Sequence, residues 1–259
     1  MAVTLIADDL GTPVAVPDRV ARVVSLVPSL TESVDATAPG LLVGATDWCT
    51  HPAGLAVTRI GGTKNPAVAR IAELAPDVVL ANEEENRPAD LDALRAAGLA
   101  VWVTDVRTVA DAFASLDRML GLACRLDRPA WLDNAEAIWA AVARGSPRRA
   151  VVPIWRRPWM VLGRDTFAGD VLARLGVHNT FGEAAQRYPT VALDELRAAE
   201  LVVLPDEPYA FSAEDGPECF SGQDVALVSG RHLTWYGPSL VDAPTVLAGQ
   251  LAGAGPGGR

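Results

Sequence analysis

The sequence predicts an α/β protein built as two Rossmann-like lobes with mainly parallel sheets, joined by a single backbone helix, with a ligand cleft between the lobes. Three observations predict it. Short β-branched runs alternate with Ala/Leu/Arg-rich stretches, the pattern of βαβ units. The alternation occurs twice, with matching order and spacing. Between the two series, residues 108–145 carry no strand signal.

Taken in order, residues 3–16 are broken by Asp8-Asp9-Leu10-Gly11 and are expected to form a hairpin arm. The first series of strands is Val23-Val24-Ser25-Leu26-Val27, Leu41-Leu42-Val43-Gly44, Val78-Val79-Leu80 and Val101-Trp102-Val103. Such continuous apolar runs suit strands covered on both faces. The stretch 108–145 is expected to hold two helices. One opens at Thr108 and shows a stripe of Leu116, Met119 and Leu120; the other opens at Pro129 and runs about 16 to 18 residues, roughly 25 Å. The second series is Ala150-Val151-Val152-Pro153-Ile154, Val202-Val203-Leu204 and Ala226-Leu227-Val228. Val24 to Val78 spans 54 residues and Val151 to Val202 spans 51, while Val78 to Val101 and Val202 to Val225 each span 23. The expected domains are therefore 1–107 with its hairpin arm, a helical connector at 108–147, and 148–259 with a Gly/Pro-rich tail.

Composition narrows the function. Thirty-two acidic against 22 basic residues give a net charge of −10, which argues against nucleic acid or an anionic membrane as partner. No apolar run reaches the ~18 residues of a membrane span. The first residues have no basic region, apolar core or lipidation cysteine, so the chain as written reads as cytoplasmic, and as cell-surface or periplasmic if the start codon is mis-assigned. Cys49, Cys124 and Cys219 lack the spacing of a disulfide scaffold or a zinc site and are expected to be plain thiols. A monomer is expected.

Open parallel sheets bind ligands beyond the carboxyl ends of their strands. Four of the seven tryptophans, Trp48, Trp155, Trp159 and Trp235, lie in segments that follow strands. Together they would suit a large, flat, partly apolar ligand, although each alone could equally plug its loop onto its own lobe. Trp102, Trp131 and Trp139 are expected in the core. Arg156, with Arg107, Arg157 and Arg231, could hold peripheral carboxylates of that ligand. His51 and His232 also follow strands, and His51 is the candidate axial ligand for the metal of a bound macrocycle. His178 is expected to be structural. The run Glu83-Glu84-Glu85 is expected to begin a helix with solvated carboxylates; Glu84 joins the candidate ligand contacts. No enzyme is expected, because nucleophile-elbow, zinc-protease and dinucleotide motifs are absent. The one arrangement that could support catalysis is Asp47, His51 and the glutamate run, acting in metal-assisted hydrolysis.

The segments Arg22 to Glu32 (with Pro28-Ser29-Leu30-Thr31), Val43-Gly44-Ala45-Thr46-Asp47, Gly61-Gly62-Thr63-Lys64-Asn65-Pro66, Ile71 to Leu80 and Val103-Thr104-Asp105 resemble the helical-backbone (class III) periplasmic binding proteins. Within that superfamily the sequence looks most like the cobalamin-binding receptors of ABC importers. The resemblance, over roughly residues 20–250, implies a solute-binding protein with no cofactor of its own, carrying a corrinoid or other metal chelate, with an ABC permease as candidate partner. It matches Tyr188 to a cleft aromatic and Trp235 with Tyr236 to an aromatic pair. It also implies one docking glutamate per lobe; Ala69 and Asp194 stand at those positions, leaving Asp194 and Glu73 as candidate docking residues. The alternative is a cytoplasmic carrier on the same fold for haem, a metal-siderophore or another chelate, uncoupled from a permease.

Overall fold

The computed structural model describes residues 2–143 and 145–257. The chain opens with an antiparallel hairpin of β1 (Val3–Ala7) and β2 (Pro13–Pro17). There follow β3 (Val23–Ser25), α1 (Pro28–Thr37), β4 (Leu42–Ala45), β5 (Thr58–Arg59), the small hairpin β6 (Gly61–Gly62) and β7 (Asn65–Pro66), α2 (Val68–Glu73), β8 (Val78–Asn82), α3 (Pro88–Ala96) and β9 (Val101–Thr104). Strands β5-β4-β3-β8-β9 form one five-stranded sheet in that order, every pair parallel. Strands β3, β8 and β9 are buried at every residue, which is why they read as unbroken apolar runs.

Two helices come next, α4 (Val109–Arg118) and α5 (Ala130–Ala141). α4 widens at its end into a π turn over Met119–Ala123. α5 has 12 residues, shorter than the 16 to 18 expected, because it begins at Ala130 and the chain leaves the helix after Ala141.

The remaining elements are β10 (Arg148–Val151), β11 (Pro153–Trp155), β12 (Met160–Val161), α6 (Phe167–Arg174), β13 (Val177–Asn179), α7 (Leu193–Leu196), β14 (Leu201–Pro205), β15 (Asp224–Val228), α8 (Gly230–Thr234), α9 (Ala243–Ala252) and β16 (Gly255–Pro256). They build a second five-stranded sheet, β13-β10-β14-β15-β16, parallel except for β16. The single strand expected at 150–154 is split. Pro153 has no N–H to give a ladder, and from it the chain leaves the parallel sheet to pair antiparallel with β12. His178, expected to be structural, is an exposed member of the edge strand β13.

The internal repeat survives as register. In the first sheet Val24 pairs with Val79 and Val79 with Val101; in the second Val151 pairs with Val202 and Val202 with Val225. These four ladders thus agree with the sequence spacing to within one residue.

The chain divides into two compact units, and neither is one uninterrupted stretch. The first takes the chain up to Asp105, Ala110–Asp133 and, from far along the chain, Tyr236–Pro238. The second takes Val106–Val109, Asn134–Trp235 and the chain from Ser239 onward. The core of the first includes Val24, Leu80, Ile71, Leu94 and Trp102, all fully buried. That of the second gathers Val151, Val202, Leu204, Leu196, Phe211 and Phe220.

Candidate functional site

In each unit the parallel strands end on one edge of their sheet, so the segments that follow them gather there. In the first unit the segment after β4 carries Trp48 and His51. Trp48 is 68% exposed, the most open of the tryptophans expected to contact ligand. Its loop is held from beneath. Arg59 Nη1 donates to the carbonyls of Thr46 (2.8 Å) and Cys49 (2.9 Å), and Nη2 to that of Leu55 (3.3 Å). Cys49 is fully buried, its sulfur within 3.0 Å of Thr31 Oγ1 and 3.1 Å of Thr46 Oγ1, and burial pushes its thiol pKa up. That is a packing thiol, and Cys124, pushed up to about 12 by burial, is another. His51 is half-buried, its Nδ1 3.3 Å from Thr50 Oγ1.

The glutamate run after β8 does not begin a helix; it forms a turn, and α3 starts only at Pro88. Asn82 takes the N–H groups of Glu84 (3.0 Å) and Glu85 (3.2 Å) on its side-chain oxygen, the short-range bond that competes with helix. Asn86 returns a bond to the Asn82 N–H and anchors the turn to Thr63. Glu84 is thereby set on an exposed turn. Tyr236, which belongs to the first unit, is 6% exposed, and burial drives its hydroxyl pKa well upward.

In the second unit the segment after β10 is the β11–β12 hairpin, and it carries Trp155, Arg156 and Trp159. Trp155 is 43% exposed, with Tyr209 from the segment after β14 set edge-on against it at 5.6 Å. Tyr209 in turn lies 4.6 Å from Phe211. Trp159 turns the other way: it stacks on Phe211 at 6.1 Å, meets Phe220 edge-on at 5.5 Å and packs on the core. Arg156 is engaged within the protein. It pairs with Asp215 and with Glu218 (2.6 Å), lies 3.2 Å from Cys219 Sγ, and sits 5.5 Å over the Trp159 ring. Burial works against its charge, but the Glu218 hydrogen bond and the surrounding negative groups outweigh it and raise its pKa. Tyr209 donates its hydroxyl to Asp215 at 2.6 Å, which raises the phenol's pKa.

Tyr188 lies half-buried in a segment clipped to β12: Gly163 N–H donates to Arg187 O (2.7 Å), Val161 N–H to Pro189 O (3.1 Å), and the Arg187 guanidinium covers the Tyr188 ring at 5.9 Å. Trp235 is 7% exposed and donates its indole N–H to Glu207 at 2.8 Å. Desolvation raises the Glu207 pKa and Asp206 adds to it, while the Trp235 bond and Arg231 pull it back. A carboxyl that holds its proton more tightly folded than unfolded makes the native state lose stability as pH rises through that interval. Glu207→Gln keeps an oxygen for Trp235 and removes the charge. Its urea midpoint should therefore exceed the parent's at pH 7 and match it at about pH 3, where the carboxyl is protonated in both states; equal midpoints at both values would refute this.

The structure thus brings Trp155, Arg156 and Trp159 into one network, to which Tyr209, Asp215 and Glu218 were not assigned from sequence. Tyr209 was visible as part of a strand-following segment; the two carboxylates left no local signal. Asp194 and Glu73 are exposed, on α7 and α2; Asp194 pairs with Arg197 at 3.3 Å, and Ala69 is exposed on α2. Among the described residues no group of three His, Cys, Asp or Glu side chains could hold a metal ion, and no helix is long and apolar enough to cross a membrane.

The model of a family described as "Periplasmic binding protein" matches residues 23–203. A vitamin B12-binding protein of Yersinia pseudotuberculosis serotype O:1b (strain IP 31758) is 23% identical over 212 residues, covering 78% of this chain and 75% of its own. Among solved structures, the periplasmic vitamin B12 binding protein of Vibrio cholerae superposes with a TM-score of 0.69 at 19% identity, over 91% of this chain and 98% of its own. A periplasmic heme binding protein from Pseudomonas aeruginosa superposes with a TM-score of 0.71 at 22% identity, over 92% and 95%.

Proposed function

Since the chain belongs to the periplasmic binding protein family, and is on that ground a solute-binding protein, we propose that it serves an ABC importer, performs no catalysis, and takes a corrinoid as ligand. The observation that carries the ligand reading is the half-exposed Trp155 backed edge-on by Tyr209, on a segment beyond the carboxyl ends of a parallel sheet. A supported aromatic of this kind offers large contact area with little freedom left to lose. Trp48, more exposed still on the corresponding edge of the first unit, supports the same reading, as do the curated relatives named for vitamin B12. Trp159, Tyr188, Trp235 and Tyr236 support the loops from within on this reading, Glu84 is an accessory contact, and His51 is the candidate axial ligand of the bound metal.

The test is titration with cyanocobalamin and with haem, following tryptophan fluorescence and the visible spectrum. Cyanocobalamin should quench, and Trp155→Ala should weaken its binding about 10- to 100-fold, the loss of most of one aromatic burial. Absence of quenching with cyanocobalamin would sink the corrinoid assignment, and a bound spectrum unchanged in His51→Ala would remove the axial role.

A second reading, a carrier for haem or another chelate with no permease, draws on Ala69: an exposed alanine stands on α2 where the resemblance expects a docking glutamate. Stimulation of a reconstituted permease's ATPase by the liganded protein, abolished in Asp194→Arg, would speak for the importer; no stimulation would speak for the carrier.

A further inference from the structure

From Arg197 to Arg231 the chain carries seven acidic residues and no basic one. Five of them, Asp206, Glu207, Glu214, Asp215 and Glu218, lie between β14 and β15, the stretch that also supplies Tyr209 and Phe211. The basic residues facing this stretch are few. Arg231 stands beside Glu207, Arg197 donates to Cys219 O at 3.0 Å, and the β11–β12 turn brings Arg156 and the exposed Arg157, both of which act on the Tyr209 hydroxyl. Of these, Arg156 directly follows the exposed Trp155 in the chain, and it is already engaged. Its side chain is 12% exposed, one terminal nitrogen pairs with Asp215, the other with Glu218 at 2.6 Å, and its flat face lies over Trp159. Drawing it toward an incoming anion would break two charge-assisted bonds and leave their carboxylates facing each other.

We infer that Arg156 is a positioning residue rather than a ligand contact, and that the Trp155–Tyr209 wall selects by charge, admitting a flat chelate whose periphery is uncharged and amide-bearing and discriminating against the same chelate bearing free carboxylates. The guanidinium ties the 215–219 segment to the tryptophan hairpin, and Asp215 extends the tie to Tyr209 at 2.6 Å. What remains for the ligand is an aromatic face bordered by Glu214, Asp215 and Glu218, whose three negative charges exceed the two positive charges of Arg156 and Arg157. The inference rests on the reading of these segments as ligand-holding.

The experiment compares cyanocobalamin with the monocarboxylates made by hydrolysing one of its peripheral amides, so that macrocycle and metal are constant and one charge changes. At low salt, about 20 mM, the monocarboxylates should bind at least about tenfold more weakly, and the gap should shrink several-fold at about 500 mM, as screening requires. Glu214→Gln removes one negative charge at an exposed position in the same stretch and leaves both carboxylate partners of Arg156 in place. It should narrow the gap by about threefold while cyanocobalamin affinity stays within about twofold, whereas a purely structural role would shift both ligands alike. If every monocarboxylate binds as tightly as cyanocobalamin at low salt, the charge selection is overturned and the corrinoid reading stands. If neither form binds, the corrinoid reading falls and takes this inference with it.

Discussion

Trp102→Ala should destabilise the first unit by about 3 to 5 kcal/mol, the usual cost of emptying a large aromatic site in a packed core. The size of the effect follows from a contradiction in the fold. β9 is an edge strand of its sheet, yet Trp102 at its centre is fully buried. The edge is covered by the turn of the N-terminal hairpin. Val103 N–H donates to Asp8 Oδ2 at 3.3 Å, and Asp9 N–H to Val103 O at 3.2 Å. Asp9 then accepts from Ser115 and from Arg118 Nε (3.2 Å), and the Arg118 guanidinium lies 5.7 Å over the Trp102 ring. Removing the indole empties the space beneath this lid and loosens the cover of an otherwise open edge. Trp102→Phe retains a ring there and should cost less than about 1.5 kcal/mol. Urea unfolding measures both, and a Trp102→Ala variant within about 1 kcal/mol of the parent would contradict this account.

Gly163→Ala should cost about 3 kcal/mol, the upper part of the range for forced overpacking. A Cβ at Gly163 would stand 2.1 Å from Gln186 O and 3.0 Å from Arg187 O. Both are backbone atoms, so no side-chain rotation relieves the clash. The chain from 186 to 189 must move away from β12, breaking the 2.7 Å bond from Gly163 N–H to Arg187 O and displacing Tyr188. A stability loss comparable to that of a surface alanine, within about 0.5 kcal/mol, would show that the segment is not clipped as described.

The strands of the two sheets were legible because parallel strands are buried on both faces and leave continuous β-branched runs. β5, β13 and β16 were not, since each is a short edge strand, partly exposed, that leaves no continuous apolar run. Pro153 was on view, and its missing N–H was sufficient reason to divide the run at 150–154. The segments holding the aromatics were legible from their place after strands. The direction each aromatic takes was not: Trp48 and Trp155 are open while Trp159, Trp235 and Tyr236 turn inward, and a planar apolar ring suits either environment. The engagement of Arg156 was equally hidden, because Asp215 lies 59 residues away and reaches it only through the fold.

Tyr236–Pro238 lie near the end of the chain but complete the first unit. Tyr236 is buried there, and a Cβ at Gly237 would stand 2.8 Å from Ser33 Oγ and 3.1 Å from Ser29 O, so this segment runs close against α1. On the ribosome, then, the half of the protein made first must wait for most of the second before it is finished. Its sheet can assemble once residue 104 has emerged, but the seat of Tyr236 stays open until more than 130 further residues have been translated. A nascent chain halted before Tyr236 leaves both units incomplete, and the molecule reaches its native state as one product rather than as two independently completed halves.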